Sequence, residues 1–555
     1  MHKWFNVIHT RNLRGDILGG VTAAIVSLPL ALTFGVASGA GAEAGLYGAI
    51  LVGLFASLFG GTPTLISEPT GPMTVVMAAV ITTLIADNPD NGLAMAFTVV
   101  MMAGVFQIVF GLLKLGKYIT LMPYSVISGF MSGIGCILII IQFAPLIGQA
   151  APSGGVNGTL AHLPELISNV NLKELILAAL TLGILFYTPT RFRKMVPPQL
   201  YALVIVSIIS VVFFSYADIQ RIGEIEASLP SLVLPTFSAA QFQTMLIDAM
   251  VLGMLGCIDS MLTSVISDNL TRYEHKSDKE LIGQGTGNII SGLFGGLPGA
   301  GATMGTVVNI QAGARTALSG IVRVGVLFIA VFGAASLIGN IPLAVLAGIA
   351  VKVGVDILDW SFIKRAHRVS FHSTLIMYAV LFLTVFVDLI VAVGIGVFIA
   401  NIITIEKLSA SQSENILAIS DMDDKLPLTR EQKRLLNLGE GRILFFYLSG
   451  AMIFGVSKAL ARERATIADH DAIIVDLSDV SMLDDTISLS IENVVKEAKD
   501  LGKAVFVVMK TQVATEKLKR IGVQEILSDD AFTDDRTIAL EKAIAALKEL
   551  KVLNA

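Results

Sequence analysis

Charge is scarce in this sequence. Asp, Glu, Lys and Arg make up 15% of its 555 residues, against 54% apolar, too little polar surface to coat one soluble domain of that size. The shortage is uneven. The first 410 residues hold 20 basic and 20 acidic side chains, about one position in ten, and the last 145 hold 19 and 24, about three in ten. A greasy body therefore precedes a polar tail, with the change near Ser409, which excludes a soluble enzyme. The net charge of −5 leaves no basic excess for a nucleic-acid partner. Cysteine is nearly absent: Cys136 and Cys257 both lie inside apolar runs, so no disulfide framework is expected. A cleavable signal is not expected either. The first apolar run, from about Ile17, leads into further apolar segments and reads as a membrane helix. A nucleotide-driven machine lacks its phosphate loop: the one Gly-x4-Gly-Lys, at 111–117, is followed by Tyr118 rather than Ser or Thr.

What is present is a series of apolar stretches long enough to cross a bilayer, or to half-cross it with a break. Fourteen are counted, centred near residues 26, 52, 78, 105, 136, 180, 207, 256, 287, 309, 326, 350, 380 and 399. Basic residues test that count, because cytoplasmic loops carry excess Lys and Arg. With the N-terminus inside, the inner side receives Lys3, Arg11 and Arg14, then Lys114 and Lys117, Arg191, Arg193 and Lys194, Arg272, Lys276 and Lys279, Arg315, and the cluster Lys364, Arg365 and Arg368. The stretch at 149–171, on the outer side, has no Lys or Arg, and the outer loop after span seven has only Arg221. Both termini are expected in the cytoplasm, with the protein in the plasma (inner) membrane and the lipid bilayer as its solvent.

The segment FGGTPTLISEPTGPMTVV (59–76) has a partner in FGGLPGAGATMGTVV (294–308). The first lies in span three and the second in span ten, each the third span of a seven-span half. Seven is odd, so halves at about 10–220 and 240–410 have opposite orientation. Interrupted helices at matching places in inverted repeats point to the binding site of a secondary transporter. Pro69, Pro72 and Pro298 stop the helices halfway, and each short helix then offers its free N–H groups and positive dipole end to the other. Two opposed positive ends make an anion site. Thr70 and Gly71 in the first copy, and Gly301, Ala302 and Thr303 in the second, supply hydroxyls and backbone N–H groups around a small space. Neither copy contains Lys or Arg, so a bound anion is met there only by helix dipoles.

Span eight carries Asp259, with Thr263 one turn later on the same face. A carboxylate at membrane depth costs about 2.5–3.5 kcal/mol or more unless paired, which marks a functional candidate. One reading pairs it with Lys352 or Arg323, although Lys352 has Asp356 at i+4. The preferred reading is that Asp259, Thr263 and the unwound 299–303 stretch, through Gly301 and Thr303, hold Na⁺ beside the anion. Glu68, the other buried acid, caps the first half-helix or handles a proton.

The stretches AEAGLYGAILVGLFASLFGGTPTLISEPTGP (42–72), ELIGQGTGNIISGLFGGLPGAGA (280–302) and NIQAGARTALSG (309–320) resemble the signatures of SulP anion transporters, from about residue 10 through the tail. In detail the chain is most similar to the family's sodium-dependent bicarbonate carriers. The resemblance implies an all-α membrane domain of fourteen spans, a seven-plus-seven inverted repeat divided into core and gate, at 1–410. It also implies a cytoplasmic α/β STAS domain at 411–555 with a role in homodimer contacts or in regulation. The implied function is Na⁺-coupled bicarbonate uptake by alternating access, the anion bound between spans three and ten. A sulfate or other oxyanion symporter and an uncoupled anion channel are the alternatives. Many members have an arginine after the start of helix ten, where this chain has Met304-Gly305, and glutamate where it has Asp259. Both departures suit a cation that replaces a fixed positive charge.

The tail supports the STAS reading on its own pattern. Apolar β-rich runs at 442–450, 472–478 and 504–510 alternate with helical segments at 454–468, 486–500 and 532–550, the arrangement of a small α/β domain. The turn at Asp484-Asp485-Thr486-Ile487 stands where soluble STAS proteins have a phosphorylatable Asp-Ser-Ser-Gly. A plain helix N-cap at Thr486 or a neighbour is the favoured reading over a phosphosite.

Overall fold

The computed structural model describes residues 5–6, 12–119, 123–152, 154–193, 197–214, 219–223, 230–387, 389–413, 416–420, 428–452, 464–510 and 512–550. Lys3, Arg11 and Lys194 lie outside the described residues, as does most of the expected helix at 454–468. The chain forms two compact units, residues 1–397 and 398–555.

Each of the fourteen apolar centres falls inside a helix. The first half contributes α1 (Leu13–Ala37), α2 (Ala42–Phe59), α3 (Gly71–Asp87), α4 (Gly92–Leu112), α5 (Tyr124–Ile141), α6 (Leu172–Tyr187) and α7 (Pro198–Phe213). The second contributes α8 (Phe242–Thr271), α9 (Ser277–Leu293), α10 (Thr303–Gln311), α11 (Leu318–Gly339), α12 (Leu343–Ile357), α13 (Phe371–Phe386) and α14 (Leu389–Ser413). By length and composition α1, α2, α4, α5, α8 and α11 can each cross a membrane, and α3, α7 and α13 are shorter apolar helices.

Packing sorts the helices into two sets. In the core set α9 lies against α2 and α4, α8 against α4, and α1 against α2, α10 and α11. In the gate set α5 lies against α12 and α13, and α6 against α7 and α12. Before α3 and α10 the chain is extended, as the prolines require, and the two extended pieces pair. Strand β1 (Ser67–Glu68) runs antiparallel to β2 (Ala300–Gly301), with Ser67 opposite Gly301 and Glu68 opposite Ala300. Glycine permits that crossing, because a Cβ on Gly299 would stand 2.9 Å from the carbonyl of Glu68.

Non-helical backbone at membrane depth needs internal partners, and α9 supplies them from one stripe of polar residues. Gln284 Nε2 donates to Ser67 Oγ at 2.6 Å, Asn288 accepts from the Gly299 N–H at 2.7 Å and donates to its carbonyl at 2.9 Å, and Ser291 Oγ donates to the Leu297 carbonyl at 2.6 Å. Replacing Asn288 by Leu strands both polar groups of Gly299. It is expected to destabilise the membrane unit by about 1–3 kcal/mol, read as a lower thermal midpoint in detergent.

The second unit is a five-stranded sheet in the order β3 (Ile416–Ile419), β4 (Ile443–Met452), β5 (Ala472–Leu483), β6 (Ala504–Val508) and β7 (Phe532–Thr533). Only β3 is antiparallel to its neighbour. Alternation along β4 feeds two cores. Leu444, Phe446 and Leu448 pack under α16 (Asp485–Asp500) and α17 (Gln512–Ile521). Phe445 and Tyr447 pack under α15 (Arg430–Leu438) and α18 (Arg536–Glu549). A sheet covered on both faces explains why its strands read as unbroken apolar runs. The described part of 454–468 is a 3₁₀ turn, Arg464–Asp469. The cap of α16 is Asp484, which accepts from the Ile487 N–H at 2.8 Å, while Thr486 is exposed within the first turn.

Candidate ion-binding site

The starts of α3 and α10 flank the paired strands. Thr70 is the N-cap of α3 and Ala302 that of α10, both extended and neither making a side-chain cap bond. Gly71 and Thr303 are therefore the first helical residues. In a helix the first-turn N–H groups have no partner within it, which leaves Gly71 and Met73 on one side, and Thr303, Met304 and Gly305 on the other. Pro72 has no N–H to offer. The N–H groups of Gly301 and Ala302 are already engaged, by Ser260 Oγ at 3.0 Å and by the Ile66 carbonyl at 2.8 Å.

Helix α8 runs past this crossing and joins both sides. Thr70 Oγ1 donates to Asp259 Oδ2 at 2.8 Å, Thr263 Oγ1 donates to the Gly301 carbonyl at 2.8 Å, and the Thr263 and Thr303 hydroxyls meet at 3.0 Å. Thr70, Gly71, Gly301, Ala302, Thr303, Asp259 and Thr263 thus form one cluster. Asp259 is 6% exposed, and among the described residues no Lys, Arg or His pairs with it. Both cations considered for it are committed elsewhere. Lys352 pairs with Asp356 on its own helix. Arg323, fully buried in α11, donates to Glu68 Oε2 at 2.6 Å, to the Ala49 and Ser67 carbonyls at 3.1 Å each, and to Ser27 Oγ at 2.8 Å.

The sulfate permease family profile matches residues 13–380. This chain belongs to the sulfate permease family. A STAS domain profile matches residues 437–537. This member is 63% identical to the bicarbonate transporter BicA of Synechocystis sp., over 98% of its own length and 96% of that protein's. It is also similar to the solved transmembrane domain of a cyanobacterial bicarbonate transporter BicA, at 67% identity and a TM-score of 0.67, covering 70% of this chain and 100% of that one. Murine Solute Carrier 26 family member A9 shares the fold at 18% identity, with a TM-score of 0.82 over 97% of this chain and 92% of that one. The permease is a multi-pass membrane transporter with a C-terminal STAS domain, not an enzyme.

Two parts of this candidate site escape a reading of the sequence. Ser260 orients Gly301 so that its carbonyl meets Thr263. The only hint of it is its place beside Asp259. Arg323 is visible as a buried cation, but its partner is Glu68, and one guanidinium ties α11 to α1, α2 and β1. Glu68 keeps Oε1 without a hydrogen bond.

Proposed function

We propose that this permease takes up bicarbonate together with Na⁺ by alternating access, the anion held between the starts of α3 and α10 and the cation at Asp259. One observation carries the reading: a buried carboxylate with no basic partner among the described residues stands between two helix starts whose N–H groups point to an anion. The donor set around it is a carboxylate, the hydroxyls of Thr263 and Thr303, and the Gly301 carbonyl. These are hard oxygen ligands without His or Cys, which suits an alkali cation. Na⁺ there restores the charge balance of Asp259 and adds positive potential beside the anion, as a fixed arginine would. The naming of the close relatives as bicarbonate transporters supports the choice of anion. In this reading residues 1–410 transport and 411–555 form a cytoplasmic STAS domain that supports homodimer assembly.

The test is uptake of labelled bicarbonate and labelled sulfate into proteoliposomes, with and without an inward Na⁺ gradient. Accumulation of bicarbonate only under the gradient is expected. Gradient-independent, non-accumulating flux would make the protein a channel, and sulfate accumulation would make it an oxyanion symporter. The accompanying topology places fourteen spans in the plasma membrane with both termini inside. A cysteine or epitope at Gly155 is therefore expected to react from outside the cell and one at Ser411 only from inside. Labelling of both from one face would overturn that topology.

A further inference from the structure

The first turn of α3 does not face open space. A methyl carbon placed on Gly71 would lie 2.6 Å from Ile357 Cδ1 and 3.2 Å from Leu138 Cδ1. Both side chains come from the gate set, Ile357 at the end of α12 and Leu138 within α5. They therefore pack an apolar wall against the Cβ side of Gly71, the first residue of α3 and of the proposed anion site.

That wall is braced. Helices α5 and α12 approach so closely that a Cβ on Gly135 would stand 2.5 Å from the Gly354 carbonyl oxygen. Just beyond Ile357, Asp359 ties the end of α12 to α5: its N–H donates to Ser132 Oγ at 3.1 Å, and its Oδ2 accepts from the Tyr124 and Ser128 hydroxyls at 2.7 Å each. Its Oδ1 accepts from the Phe362 N–H at 3.0 Å, capping the short helix that follows. With these bonds on one side and the glycine contact on the other, helices α5 and α12 cannot move apart without breaking several hydrogen bonds.

We infer that Ile357, with Leu138, sets which anion this permease accepts. The inference deepens the bicarbonate reading and rests on it. Bicarbonate is a flat monoanion that can lie against an apolar wall on one face while its oxygens take N–H groups at its edges. Sulfate is tetrahedral and doubly charged, so one oxygen must point at the wall wherever the others bind. That oxygen loses water and gains no donor, a rejection of the kind that unpaired polar groups impose in a shaped site. Shortening the wall makes room for the fourth oxygen and a water.

The experiment is Ile357→Ala in the full chain in proteoliposomes, with initial rates of labelled sulfate and labelled bicarbonate uptake over a range of each anion. The ratio of sulfate to bicarbonate kcat/KM is expected to rise by about tenfold, with the bicarbonate KM rising and the Na⁺ dependence retained. Leu138→Ala, on the other helix, is expected to move the ratio the same way, and Ile357→Val less far. The latter covers the case in which the alanine variant does not fold. An unchanged ratio in folded Ile357→Ala or Ile357→Val and in Leu138→Ala overturns the inference. Failure of the unaltered chain to carry bicarbonate counts against the proposed function instead, since the gain in sulfate uptake is read separately.

Discussion

Asp259→Asn is expected to remove the sodium dependence of bicarbonate uptake and, with it, nearly all of the uptake. The substitution keeps the shape of the side chain and its place beside Thr70, whose hydroxyl is 2.8 Å from Oδ2. What it removes is the one charge that can hold a cation among neutral oxygens. In the proposed mechanism the anion is then met by helix ends alone. Thr263→Ala deletes a single neutral oxygen and releases the Gly301 carbonyl, so it is expected to raise the Na⁺ concentration needed for half-maximal uptake and leave the maximal rate largely intact. If Asp259→Asn transports with unchanged sodium dependence, its carboxylate is structural. Glu68 is then the next acid to examine, because its Oε1 has no hydrogen bond.

Ala302→Leu is expected to bring uptake down to that of empty liposomes while the protein stays folded. Ala302 is the half-buried N-cap of α10, in an extended conformation that any L-residue adopts, and makes no side-chain cap bond. The helix therefore does not need alanine there. Three extra carbons there are expected to occupy the space proposed for the anion. Thr70→Val, on the opposite side, keeps volume and removes the hydroxyl that donates to Asp259, and is expected to cut bicarbonate affinity steeply. Uptake assays paired with a thermal melt separate these outcomes from misfolding. Normal transport by folded Ala302→Leu would take α10 out of the site.

Much of this architecture was legible from local patterns. Phe-Gly-Gly-x-Pro occurring twice led to two broken helices, and the structure pairs them as β1 and β2. Each of the fourteen apolar centres fell inside a helix, six of them long and apolar enough to cross a membrane, because backbone at membrane depth must find its hydrogen bonds inside the protein and a helix supplies them within its own segment. Three strands of the tail were legible for a related reason, since burial on both faces makes them continuous apolar runs. The short strands β3 and β7 were not: four and two residues carry too little pattern, and their pairing is fixed by neighbours distant in sequence. The partner of Arg323 was equally hidden, because 255 residues separate it from Glu68 and no local rule chooses between Glu68 and Asp259. The stripe Gln284, Asn288 and Ser291 was a usable signal. Polar residues at i, i+4 and i+7 on one face of a helix in the membrane unit announce a neighbour with unsatisfied backbone, here the 297–301 segment. The cap of α16 shows the limit of motif position: Asp484, two residues before the threonine in question, takes the Ile487 N–H.

The account stands on one cation and one anion stabilising each other at the crossing of α3 and α10, and such coupling is reciprocal. Its most direct test is bicarbonate binding to the purified, unaltered protein by calorimetry at a series of Na⁺ concentrations, with choline replacing Na⁺ at constant ionic strength. The affinity is expected to tighten by roughly 5- to 150-fold from sodium-free to saturating sodium, with Na⁺ affinity rising by the same factor when bicarbonate is saturating. Bicarbonate affinity that does not change with Na⁺ would contradict the account.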